Sequence, residues 1–193
     1  MAKRVANTNP KDVLETAAGS GVVTRALAPL LNESTRYVVT DLNQPMLDRA
    51  ANQQPRSDQF RWQQADALQL PFEAGSFYVV CCQFGVMFFP DKIAGYREAL
   101  RVLKEDGCFI FNVWDRIEQN EFAQSVTATA SRFFLMIRLC FWQEHLMGKG
   151  TLPPLSATLA KQDLAIWIHS LFLNGVVQIA RWFLRWPIAK KLR

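Results

Sequence analysis

The first hundred residues alternate short β-branched runs with amphipathic segments, and this alternation restricts the fold more than any other feature of the chain. A run of period two followed by one of period 3.6, repeated in order, is the pattern of β-α-β units. Such units join by right-handed crossovers into an α/β fold, a mainly parallel sheet with helices on both faces. Five strands are expected, at Asp12 to Thr16, Tyr37 to Asp41, Phe60 to Ala65, Phe77 to Cys82 and Cys108 to Val113. Helices fit between them at Val22 to Leu31, Pro45 to Asn52 and Lys92 to Leu103, with Glu105-Asp106-Gly107 as the turn into the fifth strand. A further helix fits Asn120 to about Phe134, and Gly148 to Leu155 reads as a loop around Pro153-Pro154.

A chain of 193 residues supplies the core of one domain rather than two. With half its residues hydrophobic and a fifth charged, it is neither disordered nor fibrous. The formal charge of +5 would suit a nucleic-acid partner, but the excess is local. Acids and bases are mixed between Asp12 and Glu121, whereas beyond Phe122 only Glu144 and Asp163 oppose nine lysines and arginines from Arg132 to Arg193. No recognised RNA motif accompanies the charge, so no nucleic-acid partner is expected. Cys81, Cys82, Cys108 and Cys140 show no C-x-x-C spacing, and adjacent Cys81 and Cys82 would face opposite sides of a strand. Met1 to Lys11 is polar and lacks the apolar core of a secretory signal; a reduced, cytoplasmic location is expected.

The most informative stretch is V-L-E-T-A-A-G-S-G, Val13 to Gly21, which sets an acid at a strand end and two glycines at a strand-to-helix turn. Such turns bind ligands in open α/β sheets, and Gly19 and Gly21 have no Cβ to hold a ligand away. The dinucleotide template G-x-G-x-x-G is met only in part, because Thr24 stands at its third glycine. Glu15, just before the turn, disfavours a pyrophosphate and suits a cofactor that carries an amino acid group. Asp41 ends the next strand twenty residues after Gly21, where its carboxylate could accept both hydroxyls of a ribose or cap a helix. Leu42 and Met46 could pack on an adenine or simply fill core. Asp66, in Gln64-Ala65-Asp66-Ala67, could accept from an adenine amino group or lie solvated in its loop. Gln83-Phe84-Gly85 follows the fourth strand, beside the expected topological switch point.

Five stretches in order, V-L-E-T-A-A-G-S-G, V-V-T-D-L-N-Q-P-M-L, Q-A-D-A-L-Q-L-P-F, C-Q-F-G-V-M-F-F-P-D-K and R-E-A-L-R-V-L-K-E-D-G-C-F-I-F-N-V-W-D, resemble class I S-adenosylmethionine-dependent methyltransferases. Within that class they are most similar to the methyltransferase type 11 group, which includes ubiquinone and menaquinone biosynthesis enzymes. The resemblance covers about Asp12 to Ala123 and implies a Rossmann-like domain over residues 1–123. It implies S-adenosylmethionine as cofactor, with Glu15, Ala17, Gly19 and Gly21 around its methionine part and Asp41 on the ribose. It further implies Asp66 and Ala67 at the adenine and Gln83 near the methionine end. Ala17 replaces the first glycine of the usual pattern, Tyr78 a common Asp, and Glu105-Asp106 the usual Pro-Gly.

The implied activity is methyl transfer to a small molecule. A sulfonium methyl leaves readily, so alignment and exclusion of water suffice and no obligatory catalytic side chain is expected. His145 and His169 lie in the tail, and no metal-ligand cluster or Ser-His-Asp order is present. The rival readings are a cofactor-binding chain without transfer, a nucleic-acid methyltransferase or binder, and a nicotinamide-dependent oxidoreductase, the last disfavoured by Thr24.

Only about eleven residues precede the first strand, so the family's N-terminal lid helices are expected to be missing, as are its last strands. Residues 124–193 form an atypical hydrophobic, basic tail, and the change after Phe134 is consistent with a shift of reading frame. Leu164 to Trp186 is apolar but interrupted by His169, Asn174, Gln178 and Arg181, which disfavours a spanning helix. It could lie in a membrane interface through Trp167, Trp182 and Trp186, or fold back over the open edge of the sheet.

Overall fold

The computed structural model describes residues 1–54, 57–114 and 125, together with the backbone of 170–173 and 176–180. Its elements run α1 (Ala2–Ala6), β1 (Asp12–Glu15), α2 (Val22–Leu27), β2 (Arg36–Asp41), α3 (Gln44–Asn52), β3 (Phe60–Gln64), β4 (Phe77–Gln83), α4 (Lys92–Val102), β5 (Leu103–Trp114), β6 (Ser170–Leu173) and β7 (Val176–Ala180). They form one sheet in the order β3-β2-β1-β4-β5-β7-β6. Strands β1 to β5 are mutually parallel, and β7 pairs antiparallel with both β5 and β6. The chain order reverses between β1 and β4, which places a switch point beside the end of β1.

Side-chain alternation divides the core into two layers. Val13, Tyr37, Val39, Val79, Cys81 and Ile110 face Val5 of α1, Val23 and Leu27 of α2 and Leu47 of α3. Leu14, Val38, Val80, Cys82, Phe109 and Phe111 face Tyr96, Ala99 and Val102 of α4. Cys81 and Cys82 thus lie on opposite faces, and Cys81, Cys82 and Cys108 are buried.

Residues 170–173 and 176–180 add two strands at the edge of β5, in keeping with a tail that folds back over the open edge of the sheet. Strand β7 pairs with the edge of β5 from Ile110↔Ala180 to Trp114↔Val176. Three features depart from the sequence reading. The stretch Glu105-Asp106-Gly107 lies inside β5 rather than before it. Phe77 pairs with Leu103 and Val79 with Cys108, so the surplus residues of β5 bulge outward between those two pairs. A helix not expected from the sequence, α1, precedes the first strand and buries Val5 against α2. Finally, α2 stops at Leu27 and a 3-10 turn, Ala28–Leu30, completes the connection around Pro29. The Asn120–Phe134 helix apart from residue 125, the Gly148–Leu155 loop, both histidines, Cys140, Trp167, Trp182, Trp186 and the point of the frame shift lie outside the described residues. Among the described residues no helix is long and apolar enough to cross a membrane.

Candidate functional site

Parallel pairing brings the C-terminal ends of β1 to β4 to one edge, and with them most of the residues singled out above. Asp41 pairs in register with Gln64, Glu15 with both Val39 and Cys81, and Gln83 with Asn112. The loop from Thr16 to Gly21 crosses this edge at the switch point. Ala17, Gly19 and Gly21 all take positive φ, +51°, +56° and +74°. Three left-handed residues in five coil the chain tightly, which explains the glycines and marks Ala17 as a strained substitute for one. Gly21 also caps α2, and a Cβ there would come within 2.8 Å of the Ala50 Cβ on α3.

The loop is pinned from several sides. Thr16 N–H donates to the Cys81 carbonyl of β4 at 2.9 Å and Ala18 N–H to the Thr40 carbonyl of β2 at 3.0 Å. Gly19 N–H donates to one carboxylate oxygen of Asp41 at 2.7 Å, and Asn43 N–H to the other at 2.8 Å. Asp41 is therefore not the cap of α3. That place is taken by Asn43, whose side chain accepts the Met46 N–H at 3.2 Å. Each Asp41 oxygen keeps a lone pair beyond its backbone bond. Leu42 and Met46 do not enter the core: they are 66% and 38% exposed beside Asp41.

Glu15 lies beneath the loop rather than in the open cleft, with only 1% of its surface exposed. One carboxyl oxygen accepts the Thr24 hydroxyl at 2.7 Å and the Tyr37 hydroxyl. Burial pushes this carboxyl up to about 7, the two hydroxyl donors pull it down, and the charge of Asp41 adds to the rise. Burial first, then the neighbouring Glu15, holds the Tyr37 phenol in its protonated, donating form.

On the far side of the switch point the Gln83 side-chain oxygen accepts the Asn112 amide at 2.7 Å. Phe84, itself at φ +56°, stacks on Trp114 with ring centroids 4.5 Å apart. Gly85 is fixed by close approach, because a Cβ would meet the Ala17 Cβ at 2.4 Å and the Cys82 sulfur at 2.8 Å. Beyond β3, exposed Asp66 accepts the Leu68 N–H at 2.8 Å in a tight turn, with Ala67 half-buried beside it. The Gln64 amide donates to the Leu42 carbonyl at 2.8 Å, tying this turn to the Asp41 segment.

Sequence reasoning passed over Thr24, Tyr37, Asn43 and Asn112. Thr24 was visible as a departure from the dinucleotide template, and Asn112 as the one polar residue within the apolar run F-I-F-N-V. Tyr37 gave no signal of its own, since its partner lies on another strand.

Residues 14–111, half of the chain, match the family model of the methyltransferase domain. The demethylmenaquinone methyltransferase of Lactobacillus johnsonii is 36% identical over 97 residues, covering 49% of this chain and 40% of that protein. The ubiquinone/menaquinone biosynthesis C-methyltransferase UbiE of Hahella chejuensis is 36% identical over 98 residues, 49% of this chain and 39% of that one. The chain thus spans about two fifths of the length of these relatives. In fold it is similar to a SAM-dependent methyltransferase from Aquifex aeolicus, with a TM-score of 0.67, 10% identity, and coverage of 95% of this chain and 89% of that one.

Proposed function

The chain belongs to the methyltransferase domain family, and from that premise we propose that it binds S-adenosylmethionine over the Thr16–Gly21 loop and transfers its methyl group to a small molecule. The observation that carries this reading is Asp41, a half-buried carboxylate that holds Gly19 N–H and keeps acceptor capacity toward the cleft. The surroundings fit such a cofactor in kind. Over Gly19 an added Cβ would touch only the flexible tip of Met46, at 3.9 Å, so the loop leaves room above itself. Exposed Leu42 and Met46 offer apolar surface for a base next to an acceptor for ribose hydroxyls.

In this reading Ala17, Gly19 and Gly21 surround the methionine part, with Glu15 beneath them. Asp41 takes the ribose, Leu42 and Met46 pack on the adenine, and Asp66 and Ala67 line its edge. Gln83, held by Asn112, stands at the methionine end. The bound cofactor supplies a methyl group on a sulfonium, which needs no acid to leave. The protein's own contribution is to orient the acceptor in line and to exclude water. A small-molecule acceptor is supported by the relatives, which are named for demethylmenaquinone and for ubiquinone/menaquinone biosynthesis.

Calorimetric titration of S-adenosylmethionine into the chain and into Asp41→Ala tests the reading. Saturable binding is expected in the first, and at least about tenfold weaker binding in the second, because the variant loses a charged acceptor and frees Gly19 N–H. A folded chain that binds no cofactor, or an Asp41→Ala variant that binds equally well, would sink it.

A further inference from the structure

We infer that Thr24 and Tyr37 are positioning residues for the Thr16–Gly21 loop and act on it through Glu15; this rests on the reading of that loop as the cofactor site. Glu15 is 1% exposed, and both Thr24 and Tyr37 are fully buried, so none of the three touches a ligand in the cleft. Their hydroxyls converge on the same Glu15 oxygen, Thr24 from 2.7 Å and Tyr37 beside it. That oxygen is where β1, β2 and the first turn of α2 meet.

Glu15 is the last residue before the loop, and Thr24 lies on the helix that follows it. The bond between them therefore closes the loop at its base, while Gly19 N–H to Asp41 and Ala18 N–H to the Thr40 carbonyl tie its crest to β2. Register explains the third member. Val13 pairs with Tyr37, so Tyr37 sits two residues before the partner of Glu15 and on the same face of the sheet. A glycine or alanine at position 24 would let helix and strand pack but could supply no hydroxyl. The Gly19 and Gly21 geometry is thus set by a polar junction rather than by close packing alone.

The test is calorimetric titration of S-adenosylmethionine into the full chain and into Thr24→Val, Thr24→Ser, Tyr37→Phe and Thr35→Val, with near-ultraviolet circular dichroism to verify each fold. Thr35 is the control. It is a buried threonine just before β2, at the far end from the site, and donates to the Pro10 carbonyl at 3.0 Å. Thr24→Val and Tyr37→Phe are expected to weaken affinity about tenfold, the effect of one lost bond to a buried carboxyl. Thr24→Ser, which keeps the hydroxyl, and Thr35→Val should stay within about twofold of the parent. Tyr37→Phe carries the test alone if Thr24→Val does not fold. Parental affinity in Thr24→Val and Tyr37→Phe overturns the inference and leaves the cofactor reading intact. So does an equal loss in Thr35→Val, which would mark a general softening. A folded parent chain that binds no cofactor overturns both.

Discussion

Glu15 is a carboxyl without solvent, and the consequence for stability has a definite sign. Burial raises it to about 7, whereas in the unfolded chain it titrates in the ordinary glutamate range. Between those two values the folded chain holds a proton that the unfolded chain has lost, so folding is favoured at the acid end of the window. This contribution is present below the ordinary glutamate value, declines as pH rises toward 7, and is gone above it, a loss on the order of 3 kcal/mol. Glu15→Gln keeps an oxygen that can accept from Thr24 and Tyr37 but has no proton to lose. Urea unfolding at pH 5 and pH 8 should therefore show stability falling by about 2.5 kcal/mol more in the parent than in Glu15→Gln. Equal losses in the two would mean that Glu15 is ionised in the folded chain throughout.

At the scale of elements the site depends on two turns pressed together, the one after β1 and the one after β4. Gly85 is the contact point. Neither neighbour of a Cβ placed there can swing aside: the Ala17 Cβ at 2.4 Å is fixed to backbone, and the Cys82 sulfur at 2.8 Å is buried. Gly85→Ala should cost on the order of 2 kcal/mol in thermal or urea unfolding, the usual penalty of overpacking. An unchanged melting temperature would mean that the turns separate freely. This contact was not legible in the sequence, where Gly85 reads only as a turn residue and Ala17 as a mild departure from a glycine pattern. Strands β1, β2 and β4 were legible as short apolar runs bounded by turn residues, and β3 by the alternation of Phe60 and Trp62 with polar residues. The early start of β5 was hidden by Glu105-Asp106-Gly107, whose composition is that of a turn although the residues bulge from a strand. Strands β6 and β7 were hidden because Leu164 to Trp186 has no clear period of two. Within the site, Glu15, Gly19, Gly21 and Asp41 stood out by type and spacing. Thr24 and Tyr37 did not, because their meaning depends on which strands become neighbours.

The whole molecule places its candidate site and strands β6 and β7 on different parts of one sheet. The residues assigned to the candidate site come from β1, β2 and β4, the turns after β1, β2 and β3, and Met46 of α3, whereas β7 pairs with the outer edge of β5 and β6 pairs with β7. Without that partner β5 would present an apolar run, Phe109-Ile-Phe-Asn-Val113, along an open edge of unpaired amides and carbonyls, the arrangement that invites pairing between chains. Ending the chain after residue 169 removes β6 and β7 together with the residues that follow them. Hydrogen exchange should then quicken at the amides of 110–114 that face β7, and sedimentation should show association that grows with concentration. Cofactor affinity should change little, because none of the residues assigned to the site belongs to the removed strands. Amides that stay protected in a monomeric truncated chain would mean that β7 is not what shields the edge of β5. A large loss of affinity would mean that the tail reaches the site through residues other than those of β6 and β7.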